Sequence, residues 1–292
     1  MKVGLTAHPG KPAALELARR AIERIGDRAE LILSDGIASL APDRPHASLE
    51  AMGGDALLAI GGDGTFLYAM RRTDAPLLPV NAGTVGVLAE VEAHRPEEFD
   101  AAIDRLLEGR YFLEERMKLA AQIGAHPIPD VVNEYVVHAA QVGKMGLFEL
   151  SVDDRLVGRV QADGIIVASA TGSTGYSLSL FGPIVDPTLD ALVLTAIAPF
   201  RVEARAVVVD PLRTVRIRPI APERASVVIL DGQEEIPLEP SSSVTVYRSP
   251  RRAKLVRFGT GFFERMRGKR ILPWSDAPEG GVSGRADLPS PP

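Results

Sequence analysis

One short segment, Gly61-Gly62-Asp63-Gly64-Thr65, combines the residue types that phosphate chemistry requires. It follows the apolar run 56–60 and precedes apolar residues at helical spacing, so we expect a turn between a buried strand and a helix. Glycines allow backbone angles that other residues avoid and let phosphate oxygens approach the main chain, and a helix N-terminus favours an anion. Because Asp63 would repel a phosphate, we interpret it as a magnesium partner or as a base for a hydroxyl that attacks a phosphate. The alternative is a glycine-rich turn in which Asp63 caps the helix.

Polar residues also follow or interrupt apolar runs of the sequence at two other places. Asn81 opens the glycine-containing segment 81–88 directly after the apolar run 77–80, and its alternative interpretation is a plain loop. Asn133 and Glu134 interrupt the apolar run 131–137. One of the two must face a partner or a cavity, because neighbouring residues of a strand point to opposite faces. The alternative is an edge strand with a solvated Glu134.

The segment 162–179 joins an apolar strand to a loop of glycines and small hydroxyl residues. Asp163 opens the strand, and Tyr176 supplies an aromatic face in the loop. Such a loop offers hydrogen bonds at close range, which suits an adenine and a ribose. The alternative is a Ser/Thr-rich surface turn. The pair Asp231-Gly232 is best explained on local grounds as a hairpin turn.

The first part of the chain alternates strands with helices. Apolar runs predict strands over 2–7, 29–33, 56–60 and 77–80, and helical stripes predict helices over 13–25 and 96–108. This order predicts a parallel sheet with helices on both faces. Ligands bind beyond the carboxyl ends of such strands, so Gly61 and Asn81 should lie on the same edge.

After Tyr111 the pattern changes to short Val-, Ile- and Leu-rich segments with turn residues between them, which is typical of a β-sandwich. We expect one strand over 131–139 and two separate strands over 244–247 and 254–258. The predicted fold class is therefore α/β plus all-β. Its parts are an α/β domain over 1–112, a β-rich domain over 113–257, a closing helix over 258–274 that returns to the first domain, and a disordered tail over 275–292.

Composition excludes several classes of protein. The net charge is −5, which argues against a broad basic surface for nucleic acid, and there is no cysteine for disulfides, thiolate catalysis or Cys-ligated metal. No apolar run approaches the length that spans a membrane, and the first residues enter a strand without a signal-peptide pattern. We therefore expect a cytoplasmic protein.

Taken together, these segments resemble the NAD kinase family over most of the chain. The resemblance rests on residues 61–65, 81–88, 133–134, 162–179, 182–184, Arg205 and 231–233. Diacylglycerol and sphingosine kinases share the Gly-Gly-Asp-Gly-Thr motif, but they have no counterpart to 163–179. The resemblance implies two domains with the active site between them, phosphoryl transfer from ATP or another phosphate donor to the 2′-hydroxyl of the adenosine ribose of NAD, a divalent metal such as Mg²⁺, and a homodimer or homotetramer formed through the β-rich domain.

The resemblance also implies a role for individual residues. Asp63 would be the catalytic base, and it would contact NAD together with Gly64. The other roles implied are donor phosphate binding by Gly61, Gly62, Gly64 and Thr65, binding of the acceptor ribose by Asn133 and Glu134, binding of adenosine by Thr171, Thr174, Gly175, Tyr176 and Ser179, and binding of the nicotinamide end by Asp163. The metal ligands stay open.

The chain departs from the family pattern at several positions. Ala170 stands where the family usually has proline, Gly175 where it has alanine, Val87 where it has phenylalanine, and Phe200 where it has histidine. The first two changes predict a looser adenosine loop. Two other functions stay open at this point: a lipid or other small-molecule kinase that shares only the first motif, and a non-catalytic nucleotide-binding regulator.

Overall fold

The computed structural model describes residues 1–83, 86–201, 204–221, 224–239, 242–259 and 261–272. The tail predicted over 275–292 lies outside the described residues, as do two residues of the segment 81–88.

The N-terminal part is an alternating α/β unit. Its elements are β1 (Lys2–Ala7), α1 (Pro12–Ile25), β2 (Glu30–Ser34), β3 (His46–Ala47), α2 (Leu49–Met52), β4 (Ala56–Gly61), α3 (Asp63–Arg72), β5 (Leu77–Asn81), β6 (Val91–Glu92) and α4 (Pro96–Leu107). The segment after β2 contains a 3₁₀ helix over Asp35–Leu40. The strands pair in parallel in the order β3-β2-β1-β4-β5.

Apolar side chains cover both faces of this parallel sheet. Along β4, Leu58 and Ile60 belong to a core with α1 and α4, whereas Leu57 and Ala59 belong to a core with α2 and α3. The alternation follows from the two-residue period of a strand, and it explains why the run is apolar at every position. The prediction of a parallel sheet with helices on both faces is confirmed.

The C-terminal part is mainly β-structure. Its elements are β7 (Phe112–Ile123), β8 (His126–Val131), β9 (Glu134–Ala139), β10 (Gly146–Val152), β11 (Arg155–Ala162), β12 (Gly164–Ser169), α5 (Tyr176–Ser179), β13 (Leu192–Ile197), β14 (Val207–Val209), β15 (Val215–Pro219), β16 (Ser226–Leu230), β17 (Glu234–Leu238), β18 (Val244–Arg257) and α6 (Phe262–Gly268). A six-stranded antiparallel sheet, β14-β13-β12-β9-β16-β17, packs against strands of the larger sheet in a shared core. The predicted fold class is confirmed.

Two strand predictions are wrong. The single strand expected over 131–139 is two strands, because the chain leaves β8 at Val131 and re-enters the other sheet at Glu134. The two strands expected over 244–247 and 254–258 are one strand, β18, with a register shift between Arg248 and Arg252. The polar residues between those two apolar runs hid their continuity.

Strand β18 joins the two parts of the molecule. It pairs antiparallel with β7 and β15, and its Leu255 pairs in parallel with Leu77 of β5. One twelve-stranded sheet therefore passes through both parts of the chain. The domain boundary at residue 112 stays a prediction.

A buried ionic cluster lies at the carboxyl end of β18. The Arg257 guanidinium, 1% exposed, is 3.1 Å from Glu90 Oε2 and 2.5 Å from Glu114 Oε2, and it also donates to the Leu88 carbonyl at 2.9 Å. Arg265 of α6 approaches both carboxylates, at 3.6 and 3.7 Å. The cluster thus holds the segment after β5, the start of β7 and the closing helix together.

We expect Arg257→Met to lower the free energy of unfolding by about 3–5 kcal/mol, because Glu90 and Glu114 lose their closest counter-charge, which Arg265 at 3.6 and 3.7 Å replaces only in part. The measurement is urea unfolding. The matched control is Arg20→Met, which removes an exposed pair with Asp100 and should cost at most about 1 kcal/mol. Equal unfolding midpoints for the two variants would contradict the assignment of the cluster as a stabilising element.

Candidate active site

The glycine-rich segment forms the predicted turn between β4 and α3. A Cβ built on Gly61 would lie 2.2 Å from Thr65 Oγ1, so glycine is required there by the close approach of the first turn of the helix. Gly62 has φ −121°, and neither Gly61 nor Gly64 has a positive φ. The expectation that these glycines supply unusual backbone angles is therefore wrong, and at Gly61 the small size is the relevant property.

Asp63 is the first residue of α3, and its carboxylate points to the segment after β5. Its Oδ2 accepts a hydrogen bond from Val87 N at 2.8 Å, and its Oδ1 accepts one from Leu88 N at 3.3 Å. Burial raises the pKa of Asp63 above its ordinary value, although the two N–H groups oppose that rise. The result is a fixed carboxylate whose proton affinity is greater than that of an exposed aspartate. The interpretation of Asp63 as a plain helix cap is not supported, because the carboxylate bonds to another segment.

Asn81 organises the neighbouring loop. It is the register partner of Gly61, so both residues lie on one edge of the sheet, as predicted. Its side chain is 1% exposed, donates to Glu92 Oε2 at 2.7 Å and accepts from Gly83 N at 2.9 Å. Among the described atoms, the Asn81 side chain is thus occupied by contacts that shape the loop.

The pair Asp231-Gly232 forms the hairpin turn between β16 and β17, as predicted. Leu230 pairs with Glu234, so the loop has three residues, 231–233, and both Asp231 and Gly232 have positive φ, 48° and 66°. The Asp231 carboxylate is also buried, and it accepts the N–H groups of residues 132, 133 and 134 at 2.8–3.0 Å. The turn therefore has a second task, since it fixes the backbone at the break between β8 and β9.

The same hairpin contacts the glycine-rich turn between β4 and α3, residues 61–65. Gln233 donates from Nε2 to the Gly64 carbonyl at 2.6 Å, and Arg71 of α3 donates to Glu234 Oε2 at 2.8 Å. Sequence reasoning did not assign a role to Arg71 or to Gln233 beyond the motif, because their contacts join segments more than 160 residues apart. The hairpin is the bridge between the first glycine motif and the Asn133-Glu134 pair.

Glu134 is buried rather than solvated. Its strand β9 lies inside the second sheet, between β12 and β16, and the residue is 6% exposed, so the edge-strand alternative is wrong. Burial, with a smaller contribution from the negative charge of Asp231, raises the pKa of Glu134 to about 8. Glu134 Oε2 and Asn133 Oδ1 have no hydrogen-bond partner among the described atoms. Buried polar atoms of this kind are typical of a ligand site.

The loop after β12 packs directly on Asn133 and Glu134. Ser169 N donates to the Asn133 carbonyl at 2.8 Å, and a Cβ on Gly172 would lie 2.2 Å from the same oxygen. Gly175 lies against the side chains of Asn133 and Glu134. A Cβ built on Gly175 would lie 3.0 Å from Glu134 Oε2 and 3.2 Å from Asn133 Nδ2. The structure therefore brings two separately identified motifs to one place.

The other residues predicted in this loop differ in exposure. Thr171 is buried, Thr174 is half-buried, and Tyr176 is 42% exposed. Asp163 is half-buried just before β12, and Ser179 is exposed. Because Ser169, Thr171, Ser173 and Ser177 are buried, the alternative of a plain Ser/Thr-rich surface turn is wrong.

The described residues contain no group of three or more His, Cys, Asp or Glu that could hold a metal ion. Within the turn 61–65 itself, Asp63 supplies the one carboxylate. This fits Mg²⁺ only as an ion that keeps its waters and stays on substrate phosphates, which is its usual behaviour in phosphoryl transfer.

Helices of the described part are too short or too polar to cross a membrane.

Comparisons with known proteins agree with this geometry. Residues 3–111 match the model of the ATP-NAD kinase N-terminal domain, and residues 132–258 match the model of the C-terminal domain. The chain belongs to the NAD kinase family. An NAD kinase of Methanopyrus kandleri is 40% identical over 93% of this chain and 98% of its own, and one of Thermococcus gammatolerans is 37% identical over 91% and 97%.

A solved NAD kinase structure also matches. The crystal structure of an NAD kinase from Archaeoglobus fulgidus in complex with ATP has a TM-score of 0.74 and 26% identity, and the match covers 92% of this chain and 96% of that one. The predictions of the NAD kinase family and of kinase activity toward NAD are confirmed by these matches. The roles of individual residues stay predictions.

The raised pKa of Glu134 predicts a pH dependence of stability. An unfolded glutamate ionises near 4.5, whereas the folded one holds its proton until about pH 8. Between these values the unfolded state loses a proton that the folded state keeps, so the free energy of unfolding falls as pH rises, by about 1.4 kcal/mol per pH unit, and becomes constant above pH 8. Glu134→Gln removes this dependence.

The measurement is urea unfolding of the unliganded protein from pH 5 to pH 8, within the window set by the two pKa values. The gap in the free energy of unfolding between Glu134→Gln and wild type should widen with pH in favour of the variant. The control is Glu235→Gln, an exposed residue on the same hairpin, which should follow wild type. A gap that stays constant with pH would refute the buried, protonated state of Glu134.

Proposed function

We propose that this NAD kinase transfers the γ-phosphate of ATP to the 2′-hydroxyl of the adenosine ribose of NAD. The observation that carries the proposal is the hairpin at 231–233. It contacts the glycine-rich turn 61–65 through Gln233, and it fixes the Asn133-Glu134 backbone through Asp231. A donor phosphate at the turn 61–65 and an acceptor ribose at Asn133 and Glu134 would therefore be held close together. Phosphoryl transfer depends mainly on such positioning.

Asp63 is the proposed catalytic base. The 2′-oxygen forms a bond to the γ-phosphorus, the bond from that phosphorus to the β,γ-bridging oxygen breaks, and ADP leaves. The hydroxyl proton passes to a carboxylate oxygen of Asp63. The role is supported by the fixed orientation of the Asp63 carboxylate and by its raised pKa, which brings its proton affinity nearer to that required at neutral pH.

The remaining roles follow the family resemblance and are supported by burial and contact. The donor phosphates would contact Gly61, Gly62, Gly64 and Thr65 at the amino end of α3, where free N–H groups favour an anion. The acceptor ribose would bind Asn133 and Glu134, whose unpartnered oxygens suit hydroxyl groups. The adenosine would bind along Thr171, Thr174, Gly175, Tyr176 and Ser179, with the nicotinamide end toward Asp163. Mg²⁺ would enter with ATP and neutralise phosphate charge.

We further propose a cytoplasmic homodimer or homotetramer, without a nucleic-acid or membrane partner. Assembly through the β-rich part is supported by exposed apolar residues on two of its strands. Leu156 and Val157 of β11 are 60% exposed, and Val207 and Val208 of β14 are 50% and 53% exposed. Solvated apolar strands of this kind often become covered in an assembly.

The direct test is incubation of the purified protein with Mg²⁺, ATP and NAD, NADH or a diacylglycerol, followed by product analysis. Formation of 2′-phosphorylated dinucleotide supports the proposal. Phosphorylation of the lipid alone, or nucleotide binding without turnover, would reject it. Replacement of ATP by polyphosphate identifies the donors that the enzyme accepts.

Asp63→Asn should lower kcat by about 10²–10⁴-fold, because the amide keeps the shape of the side chain and cannot accept the proton. NAD affinity should change little. Steady-state kinetics and calorimetric titration with NAD provide the two measurements. The control is Asp43→Asn, an exposed residue that should keep wild-type turnover. Near wild-type kcat in Asp63→Asn would remove Asp63 from the mechanism.

A further inference from the structure

Arg71 is a buried cation that the proposed mechanism does not use. It lies about two helical turns after Asp63 on the same helix, α3, and its side chain is 3% exposed. The other buried residues of α3 are all apolar. Removal of a charged group from water is unfavourable unless partners replace the lost hydration, so the burial of this guanidinium requires an explanation.

The partners of Arg71 belong to the β-rich part of the chain. Its Nη2 donates to Glu234 Oε2 at 2.8 Å, its Nε donates to the Asp130 carbonyl at 3.3 Å, and its Nη1 lies 3.5 Å from the Leu230 carbonyl. Leu230 ends β16 and Glu234 begins β17, so the guanidinium contacts both strands that flank the loop 231–233. We call these contacts the α3–hairpin junction. Because a guanidinium holds its donors in one rigid plane, the junction fixes the angle between helix and hairpin.

The same hairpin also contacts the first turn of α3. Gln233 donates from Nε2 to the Gly64 carbonyl at 2.6 Å, so one hairpin contacts the helix near both of its ends. Asp63 and Arg71 lie about 12 Å apart along the helix axis, for a rise of about 1.5 Å per residue. A tilt of about 5° between helix and hairpin therefore displaces one end relative to the other by about 1 Å.

The hairpin is attached to the acceptor side of the proposed site as well. Asp231 accepts the N–H groups of Asn133 and Glu134 at 2.8 and 3.0 Å. The position of Asp63 relative to these two residues is thus determined by how α3 lies on the hairpin. Of the two side chains that join helix and hairpin, Arg71 is buried and Gln233 is exposed.

Stability alone does not explain the pairing of Arg71 with Glu234. The Glu234 side chain is 42% exposed, and an ion pair with an exposed partner contributes little to stability. An apolar residue of similar volume is often at least as stabilising at a buried place. An apolar residue cannot fix an angle between two elements in the same way, because hydrophobic contacts are not directional.

We propose that Arg71 is a positioning residue for phosphoryl transfer. Through the α3–hairpin junction it sets the distance between the Asp63 carboxylate and the acceptor ribose at Asn133 and Glu134. This inference rests on the proposed function, which assigns the base and the ribose contacts. In this role Arg71 acts through Asp63 and touches neither substrate.

The first test compares steady-state kinetics. Arg71→Met should lower kcat by about 10–100-fold, because a misplacement of about 1 Å can cost about 10²-fold in rate. The KM values for NAD and ATP should change by less than about 3-fold, since the substrate contacts are kept. Arg71→Lys keeps the charge without the rigid plane of donors, so it should recover part of the loss. The control Arg24→Met removes an exposed helical arginine that pairs with Asp104 and should keep wild-type kcat.

A double-mutant cycle separates the positioning of Asp63 from an independent effect of Arg71. In the Asp63→Asn background no base remains to be positioned, so Arg71→Met should lower the residual kcat by less than about 2-fold. An equal loss of kcat in the two backgrounds would overturn the proposal. A wild-type kcat in Arg71→Met, or a loss that lies entirely in KM, would overturn it as well.

Hydrogen exchange of the unliganded protein measures the junction without any substrate. In Arg71→Met the amides of residues 63–72 and 132–134 should exchange at least about 10-fold faster, whereas those of β1 should exchange as in wild type. If Arg71→Met does not fold, Glu234→Ala removes only the half-buried partner and should give the same pattern with a kcat loss of about 2–10-fold. Unchanged exchange in both segments, in whichever variant folds, contradicts the proposal.

The proposed function is scored separately in these experiments. If wild type does not phosphorylate NAD but loss of Arg71 accelerates exchange in both segments, the proposed function fails and the junction stands. If wild type phosphorylates NAD and Arg71→Met keeps wild-type kcat, the positioning role fails and the proposed function stands.

Discussion

The architecture depends on one strand that belongs to both parts of the molecule. Strand β18 pairs with β7 along most of its length and with β15 over residues 244–246, and its Leu255 pairs with Leu77 of β5 in the parallel sheet. Backbone hydrogen bonds are directional and cannot be left unmade in the interior. The ladder of hydrogen bonds along β18 therefore sets the orientation of the β-rich part relative to the parallel sheet. This orientation brings the hairpin at 231–233 onto the glycine-rich turn 61–65.

The strand also reaches the proposed base. Arg257, its last residue, donates to the Leu88 carbonyl, and the Leu88 N–H donates to Asp63. The segment that orients the Asp63 carboxylate is thus attached to a buried ionic cluster rather than left as a free loop. Such support from outside the site is what holds a reactive side chain in one geometry.

Much of this arrangement could be predicted from the chain alone. Gly61 and Asn81 were placed correctly on one sheet edge, because apolar runs and glycines mark the ends of parallel strands. The break at 131–134 was missed, since apolar residues flank Asn133 and Glu134 on both sides and the chain changes sheets there without a Pro or Gly. The continuity of β18 was missed for the opposite reason, since polar residues interrupt it.

The contacts made by single side chains were the hardest features to predict from the sequence. Lys11 follows an ordinary Pro-Gly turn, and only the folded structure brings its ammonium beside Gly62 and Gly83. Arg71 and Gln233 act across more than 160 residues of sequence. Local periodicity contains no information about such pairs, whereas the family motif located Asn133 and Glu134 without explaining why Glu134 is buried.

Position 175 shows how closely the two nucleotide motifs depend on each other. A methyl group at Gly175 would press on the Glu134 carboxylate at 3.0 Å, and that oxygen has no other described contact to resist a shift. Alanine at this position therefore requires the Glu134 carboxylate to move by a few tenths of an ångström. Exchange of this loop between family members would accordingly transfer the geometry of the ribose site along with the adenosine contacts.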